Sequence, residues 1–181
     1  MSLFEGKLIR LTHIRRDDIP TFCRWFRDYE VQRLLAFDPI IPITDEAEEA
    51  WFESAAKSEN EYHFSIRLLE NDLLIGNCSL FGVNARNRSA EFGIAIGEKE
   101  YWGRGFGSDA TRVLLRFAFN ELNLNRVHLD VLAYNKRAIS AYVKVGFTHE
   151  GTRRCAIYRE GEYHDVYVMA ILREEWKARQ E

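Results

Sequence analysis

Residues Ala90–Ala110 read AEFGIAIGEKEYWGRGFGSDA, and this stretch decides the fold. Its first part, extended back by one residue, gives a β-strand over Ser89–Ile96. Gly103, Gly105 and Gly107 then alternate with Trp102, Arg104 and Phe106, and Ser108-Asp109 lead into a helix. Glycines at alternate positions let the backbone turn without Cβ clashes and bring its N–H groups close to a ligand. A helix N-terminus just behind them adds unpaired N–H groups and a positive dipole end. The combination predicts a cradle for phosphate or pyrophosphate.

C-terminal to the cradle, Ala110, Val113, Leu114, Phe117 and Ala118 share one helical face, and Asn123 and Asn125 end the helix. Arg126–Leu132 is the next strand. Asn135 caps a helix bearing Ala138, Ala141, Tyr142 and Val145, which Gly146 stops. Thr148–Tyr158 and Tyr163–Ile171 form a hairpin around Glu160-Gly161, and Leu172–Glu181 reads as a short terminal helix. N-terminal to the cradle, Lys7–Leu11 is a short strand, and Asp17 or Asp18 opens a helix carrying Ile19, Phe22, Cys23 and Phe26. A short helix covers Glu30–Leu35, a proline-bearing loop covers Phe37–Ile43, and Thr44 or Asp45 caps a helix to about Lys57. Tyr62–Leu69 and Leu73–Phe81 read as a hairpin. The order predicts an α+β domain with a mixed sheet and one right-handed crossover, from Ser89–Ile96 to Arg126–Leu132.

The 181 residues suit one domain, residues 1–181. A net charge of −3 gives no reason to expect nucleic acid as the main partner. Cys23, Cys78 and Cys155 form no C-x-x-C pair, which favours buried thiols in a reducing, cytoplasmic compartment over disulfides or a metal site. The segment MSLFEGKLIRL lacks a long apolar run, so neither a signal peptide nor a membrane span is expected.

Three phosphate ligands compete. G-x-x-x-x-G-K-[ST] does not occur, which removes the simplest nucleoside triphosphatase reading. Gly105–Ala110 satisfies G-x-G-x-x-[GA], and Asp130 sits in the next strand, where an acid can hold a ribose. Against a dinucleotide, Gly97–Gly103 separate the motif from its strand, Asp130 is flanked by Leu129 and Val131 inside its strand, and the chain offers a single βαβ unit. The third ligand is coenzyme A. Trp102–Gly107 (WGRGFG), the N-x-x-A-x-x-x-Y pattern of Asn135–Tyr142 and Gly146-Phe147 resemble the GNAT superfamily of N-acetyltransferases. Trp102 stands where that family usually has Arg or Gln. The aromatic variant and the closing GEYHDVYVMAIL resemble the branch of ribosomal-protein alanine N-acetyltransferases (RimJ/RimL-like), which is similar to the spermidine acetyltransferases.

The resemblance implies a largely antiparallel sheet, flanked by helices, in which the parallel strands Ser89–Ile96 and Arg126–Leu132 splay apart. The pantetheine arm of acetyl-CoA would take the place of a missing strand along Ile94, Ala95 and Ile96. The pyrophosphate would sit on the loop Trp102, Gly103, Arg104, Gly105, Phe106, Gly107 and Ser108, with Asn135, Lys136 and Arg137 as further coenzyme contacts. Tyr142 is the expected acid for the leaving thiolate. The base stays open between Glu91, Asp130 and a water relay, each carboxylate also being readable as an ion-pair partner. The oxyanion donor would be a backbone N–H near Ile94. No metal is implied. His164 and Asp165 are adjacent on a strand and point to opposite faces, so they form no dyad. The cysteines suggest no covalent step.

The acceptor site should lie among the N-terminal helices, the Asp28–Thr44 region and the last hairpin. An α-amine with a pKa near 8 is about one-tenth neutral at pH 7, whereas an alkyl amine near 10.4 is neutral in fewer than about one molecule in a thousand. Asp28, Glu30, Asp38, Asp45 and Glu46 form an acidic stretch that would attract a polycation, or that merely complements a helix dipole and faces solvent. The resemblance to the alanine N-acetyltransferases puts a protein N-terminus ahead of a polyamine or another small amine, and a non-catalytic coenzyme A sensor remains a third class. Members of the family often form homodimers, though no interface is legible here.

Overall fold

The computed structural model describes residues 2–179. Seven strands form one sheet in the order β1-β2-β3-β4-β5-β7-β6. They are β1 (Ile9–Thr12), β2 (Tyr62–Leu68), β3 (Leu74–Asn84), β4 (Ser89–Ile96), β5 (Arg126–Leu132), β6 (Thr148–Arg159) and β7 (Glu162–Leu172). The helices are α1 (Ile19–Arg27), α2 (Tyr29–Leu35), α3 (Asp45–Ala55), α4 (Phe106–Asn120), α5 (Lys136–Val145) and α6 (Arg173–Lys177). All neighbouring strands are antiparallel except β4 and β5, so the expected mixed α+β sheet is present.

The parallel pair holds for three rungs only: Ser89 to Arg126, Ala90 to Val127 and Glu91 to His128. Beyond Glu91, β4 keeps its pairing to β3 as far as Ile96, while β5 keeps its pairing to β7 as far as Leu132. The two strands therefore diverge, and each turns an unpaired edge toward the gap.

Alternation assigns the faces. Phe92 and Ile94 of β4 and Val127 and Leu129 of β5 pack into the main core with Leu114, Phe117, Tyr142 and Trp176 from α4, α5 and α6. The other face meets the N-terminal helices. There the Ser65 hydroxyl donates to Asp18 at 2.7 Å, the Asp18–Arg67 ion pair is buried, and Phe22, Trp25 and Val31 form a second cluster.

Several boundaries differ from expectation. β1 starts at Ile9 rather than Lys7, because the chain turns before it: the Gly6 amide donates to Ile9 O at 2.8 Å. Helix α4 starts at Phe106, ahead of Ser108-Asp109, because Gly105 adopts φ +92 and serves as N-cap. Asp109 therefore lies inside the first turn, where its carboxylate accepts from the amides of Leu8 (2.7 Å) and Ile9 (3.2 Å) and fastens α4 to β1. The terminal helix covers only Arg173–Lys177, since β7 runs through Leu172; residues 180 and 181 of the expected span lie outside the described residues.

Candidate active site

The divergence of β4 and β5 opens a cavity of about 530 Å³ that passes through the sheet. Phe92, Ile94 and Tyr142 line it from the α4/α5 side, and Glu91 and Asp130 line it from the side of the N-terminal helices. Two unsatisfied strand edges joined by one channel suit an extended ligand that bonds like a strand.

The glycine loop closes one end. Gly103 and Gly105 take φ +73 and +92, left-handed values that glycine adopts without strain. The first bond of the helix runs from the Asp109 amide to Gly105 O at 3.0 Å. The amides of Phe106, Gly107 and Ser108 precede it and have no acceptor within the helix. Of the loop residues expected at the coenzyme, Trp102, Gly103, Gly105, Gly107 and Ser108 line the cavity. Arg104 and Phe106 do not: the Arg104 guanidinium carbon sits 5.4 Å from the Tyr101 ring centre and 5.6 Å from that of Phe106.

Ile94 and Ile96 also line the cavity, whereas Ala95 does not; its register partner is Asn77, and its side chain turns to the opposite face. Trp102 donates from Nε1 to Ile96 O at 2.6 Å, closing the end of β4. The Arg137 guanidinium lies 3.8 Å from the Trp102 ring centre and lines the cavity, and burial pulls its pKa below the usual value. Lys136 turns away, its Nζ 5.9 Å from the Tyr167 ring centre. Asn135 caps α5 as expected, accepting from the Ala138 amide at 3.2 Å, and also donates to Leu34 O at 3.2 Å.

Tyr142 is buried between Phe92 and Phe147, with ring centres 6.0 and 5.7 Å away. Burial pushes its phenol well above the ordinary tyrosine value, which keeps it protonated. The two carboxylates differ. Asp130 is ion-paired with Arg153, whereas the exposed Glu91 carboxylate lines the cavity with no hydrogen-bond or ion-pair partner among the described residues. His164 Nε2 lies 3.2 Å from Arg159 O, and Asp165 accepts from the Cys155 amide at 2.8 Å, fixing a bulge in β6. Both have structural partners outside the cavity.

The acidic stretch is largely compensated. Asp28 caps α2 and pairs with Lys99 at 2.7 Å, as does Glu30 at 3.1 Å, while Asp45 pairs with Arg27 at 2.7 Å. The wall falls largely in the expected Asp28–Thr44 region, but its lining is apolar, which sequence reading missed: Val31, Leu34 and Leu35 of α2, with Phe37 and Phe81. Only the short helical pattern over Glu30–Leu35 hinted at it. Among the described residues no helix is long and apolar enough to cross a membrane, and no group of three or more His, Cys, Asp or Glu side chains could hold a metal.

Comparisons with known proteins agree with this geometry. The family model for an acetyltransferase (GNAT) domain matches residues 9–148. An uncharacterised N-acetyltransferase, p20 of Bacillus licheniformis, is 28% identical over 97% of this chain and 99% of its own length. YdaF of Bacillus subtilis (strain 168), provisionally named a ribosomal N-acetyltransferase, is 36% identical over 61% of this chain and 60% of its own. The crystal structure of spermidine N-acetyltransferase from Vibrio cholerae, in complex with CoA and spermine, superimposes with a TM-score of 0.86 at 26% identity, covering 93% of this chain and 98% of that one.

Proposed function

The chain belongs to the acetyltransferase (GNAT) domain family and is an acetyl-CoA-dependent acetyltransferase, and on that premise we propose that its acceptor is the α-amine of a protein or peptide N-terminus. The observation that carries this reading is the charge at the acceptor side. Of the two carboxylates lining the cavity, Glu91 has no side-chain partner among the described residues, Asp130 is held by Arg153, and nearby Asp28 and Glu30 are bound to Lys99 and Asp45 to Arg27. One free carboxylate beside an apolar wall suits one amine on an otherwise uncharged group. A polycation would face cations already engaged with the acids it needs. A spermidine-like acceptor is the second reading, favoured by the likeness to the Vibrio cholerae enzyme.

The residues fit the donor. The amides of Phe106, Gly107 and Ser108 suit its pyrophosphate, and the open β4 edge over Gly93–Ile96 suits its pantetheine arm. When bound, acetyl-CoA supplies a thioester open to attack by a neutral amine. Glu91 takes a proton from the protonated α-amine, which needs little help because its pKa is near 8. A backbone N–H near Ile94 meets the negative charge that develops on the carbonyl oxygen. Tyr142 gives its proton to the departing sulfur and regains one from the newly formed ammonium nitrogen.

The reading is tested by following thiol release from acetyl-CoA with Ala- and Ser-starting peptides, spermidine and an amino sugar. The peptides should give a kcat/KM about tenfold or more above spermidine. A preference for spermidine overturns the N-terminal reading.

A further inference from the structure

Phe81 of β3 stands beside Glu91 of β4: the two are register partners, and residues paired across neighbouring strands point to the same face. Leu80 and Phe92, the next pair, are both buried in the main core, so Phe81 and Glu91 turn to the side of the N-terminal helices. The Phe81 ring also lies over Gly93, where a Cβ would come within 2.9 Å of its Cε2 atom. A side chain at position 93 would push the ring off this seat. On its far side Phe81 meets His63 edge-on, with ring centres 5.4 Å apart. His63 is itself fixed: Ser79 Oγ lies 2.8 Å from its Nδ1, Glu61 lies 3.0 Å from its Nε2, and Trp51 packs edge-on at 5.3 Å. The ring is therefore a braced wall next to the carboxylate.

Leu34, Phe37 and Phe81 all line the cavity, yet none of them belongs to either hydrophobic core cluster. Phe37 is 40% exposed. Apolar side chains kept out of the core and gathered at one cavity mouth are a surface for a ligand to cover. A charged group against them would find no counter-charge at hand. Asp130 is engaged by Arg153, and the amine itself claims Glu91.

We propose that Phe81 is a specificity-determining residue of the acceptor site, and that the acceptor carries an apolar side chain of about leucine size on the carbon bearing its amine. The inference rests on the reading of the acceptor as a peptide N-terminus. With the amine at Glu91, the substituent on the neighbouring carbon falls against the Phe81 ring, and Leu34 and Phe37 face it from the side of the N-terminal helices. A methylene well placed in a hydrophobic pocket is worth about tenfold or more in kcat/KM. A first residue as small as Ala or Ser leaves most of this surface uncovered.

The test follows thiol release from acetyl-CoA with peptides that differ only in a first Leu, Ala, Ser or Asp, with leucinamide and alaninamide, and with spermidine. The parent should use the Leu peptide with a kcat/KM about tenfold or more above the Ala and Ser peptides, and should use the Asp peptide least. Phe81→Ala should lower kcat/KM for the Leu peptide about tenfold and bring the Leu-to-Ala ratio near one, with the KM for acetyl-CoA unchanged. Phe81→Leu keeps an apolar wall and should keep most of the ratio. Three results would overturn the inference: a parent that uses Ala or Ser as well as Leu, a Phe81→Ala variant with the parent's ratio, or one that speeds the Leu peptide, since the ring would then exclude the side chain. The two readings fail separately. Spermidine ahead of every peptide, with leucinamide still ahead of alaninamide, removes the peptide acceptor and keeps the pocket. Ala and Ser peptides ahead of both the Leu peptide and spermidine remove the pocket alone. Refusal of every amine removes both.

Discussion

The Arg137 guanidinium stacks on the Trp102 ring at 3.8 Å, so the start of α5 and the start of the glycine loop meet across the mouth of the wedge. Trp102 is held from behind by its bond to Ile96 O, which makes the ring a fixed platform. The stack joins the two elements that the donor must touch together. Cation–π contacts of this kind contribute about 0.5–2 kcal/mol, more when desolvated. Arg137→Ala should raise the KM for acetyl-CoA about tenfold and leave kcat within about twofold. Arg137→Lys should recover part of the loss, since an ammonium stacks less well. Steady-state kinetics with acetyl-CoA varied reads both.

Tyr142→Phe fills the same space between Phe92 and Phe147, so folding should be unaffected. The change removes the one proton that the site offers to sulfur. General acids contribute about 10²–10⁴-fold, and kcat should fall about a hundredfold with the KM for acetyl-CoA unchanged. Because burial raises the phenol above its ordinary value, the parent should also show no loss of kcat on the alkaline side up to about pH 10. A kcat–pH profile falling well below that value would mean that a different group supplies the proton.

The parts of this site that were legible in the sequence are those whose chemistry is local. Asn135 reads as an N-cap because capping involves residues three apart, and Gly105 reads as a turn because its backbone conformation needs no partner. The parallel strand pair followed from one strand, one helix and one strand in succession. Long-range roles were not legible. A first-turn acid looks the same whether it complements a dipole or, like Asp109, holds two amides of a distant strand. Asp130 and Glu91 are equivalent as letters, and only the position of Arg153 separates them. The apolar wall of α2 depends on where Tyr134 and Asn135 grip the backbone carbonyls of Arg33 and Leu34, which no pattern within α2 encodes.

Asp109→Ala should cost stability beyond the loss of a surface charge. It strands the Leu8 and Ile9 amides, the second of them buried. Leaving a buried donor unsatisfied costs about 1–3 kcal/mol, and urea unfolding should show a lower midpoint with an unchanged slope. The KM for acetyl-CoA should rise as well, because α4 loses the anchor of the turn that presents the Phe106–Ser108 amides. Asp109→Asn keeps one acceptor oxygen and should lose less on both counts.

Glu160, at the tip of the β6–β7 hairpin, joins that hairpin to α2. Its carboxylate accepts from Arg33 at 2.8 Å and from the Tyr29 hydroxyl at 2.9 Å, and these bonds pull its pKa down to about 2. An unfolded glutamate titrates near about 4.3. A depressed folded value means that the latch contributes its full stability above the unfolded value and loses it as pH falls toward about 2. Glu160→Gln should therefore flatten the stability–pH curve within that window and leave its shape above pH 5 unchanged, which thermal unfolding across the acid range would show. At neutral pH the same variant frees α2, whose Leu34 and Leu35 wall the acceptor side. Its KM for the acceptor should rise several-fold while the KM for acetyl-CoA stays put. Equal rises in both would mean that the latch supports the whole cavity rather than the acceptor wall.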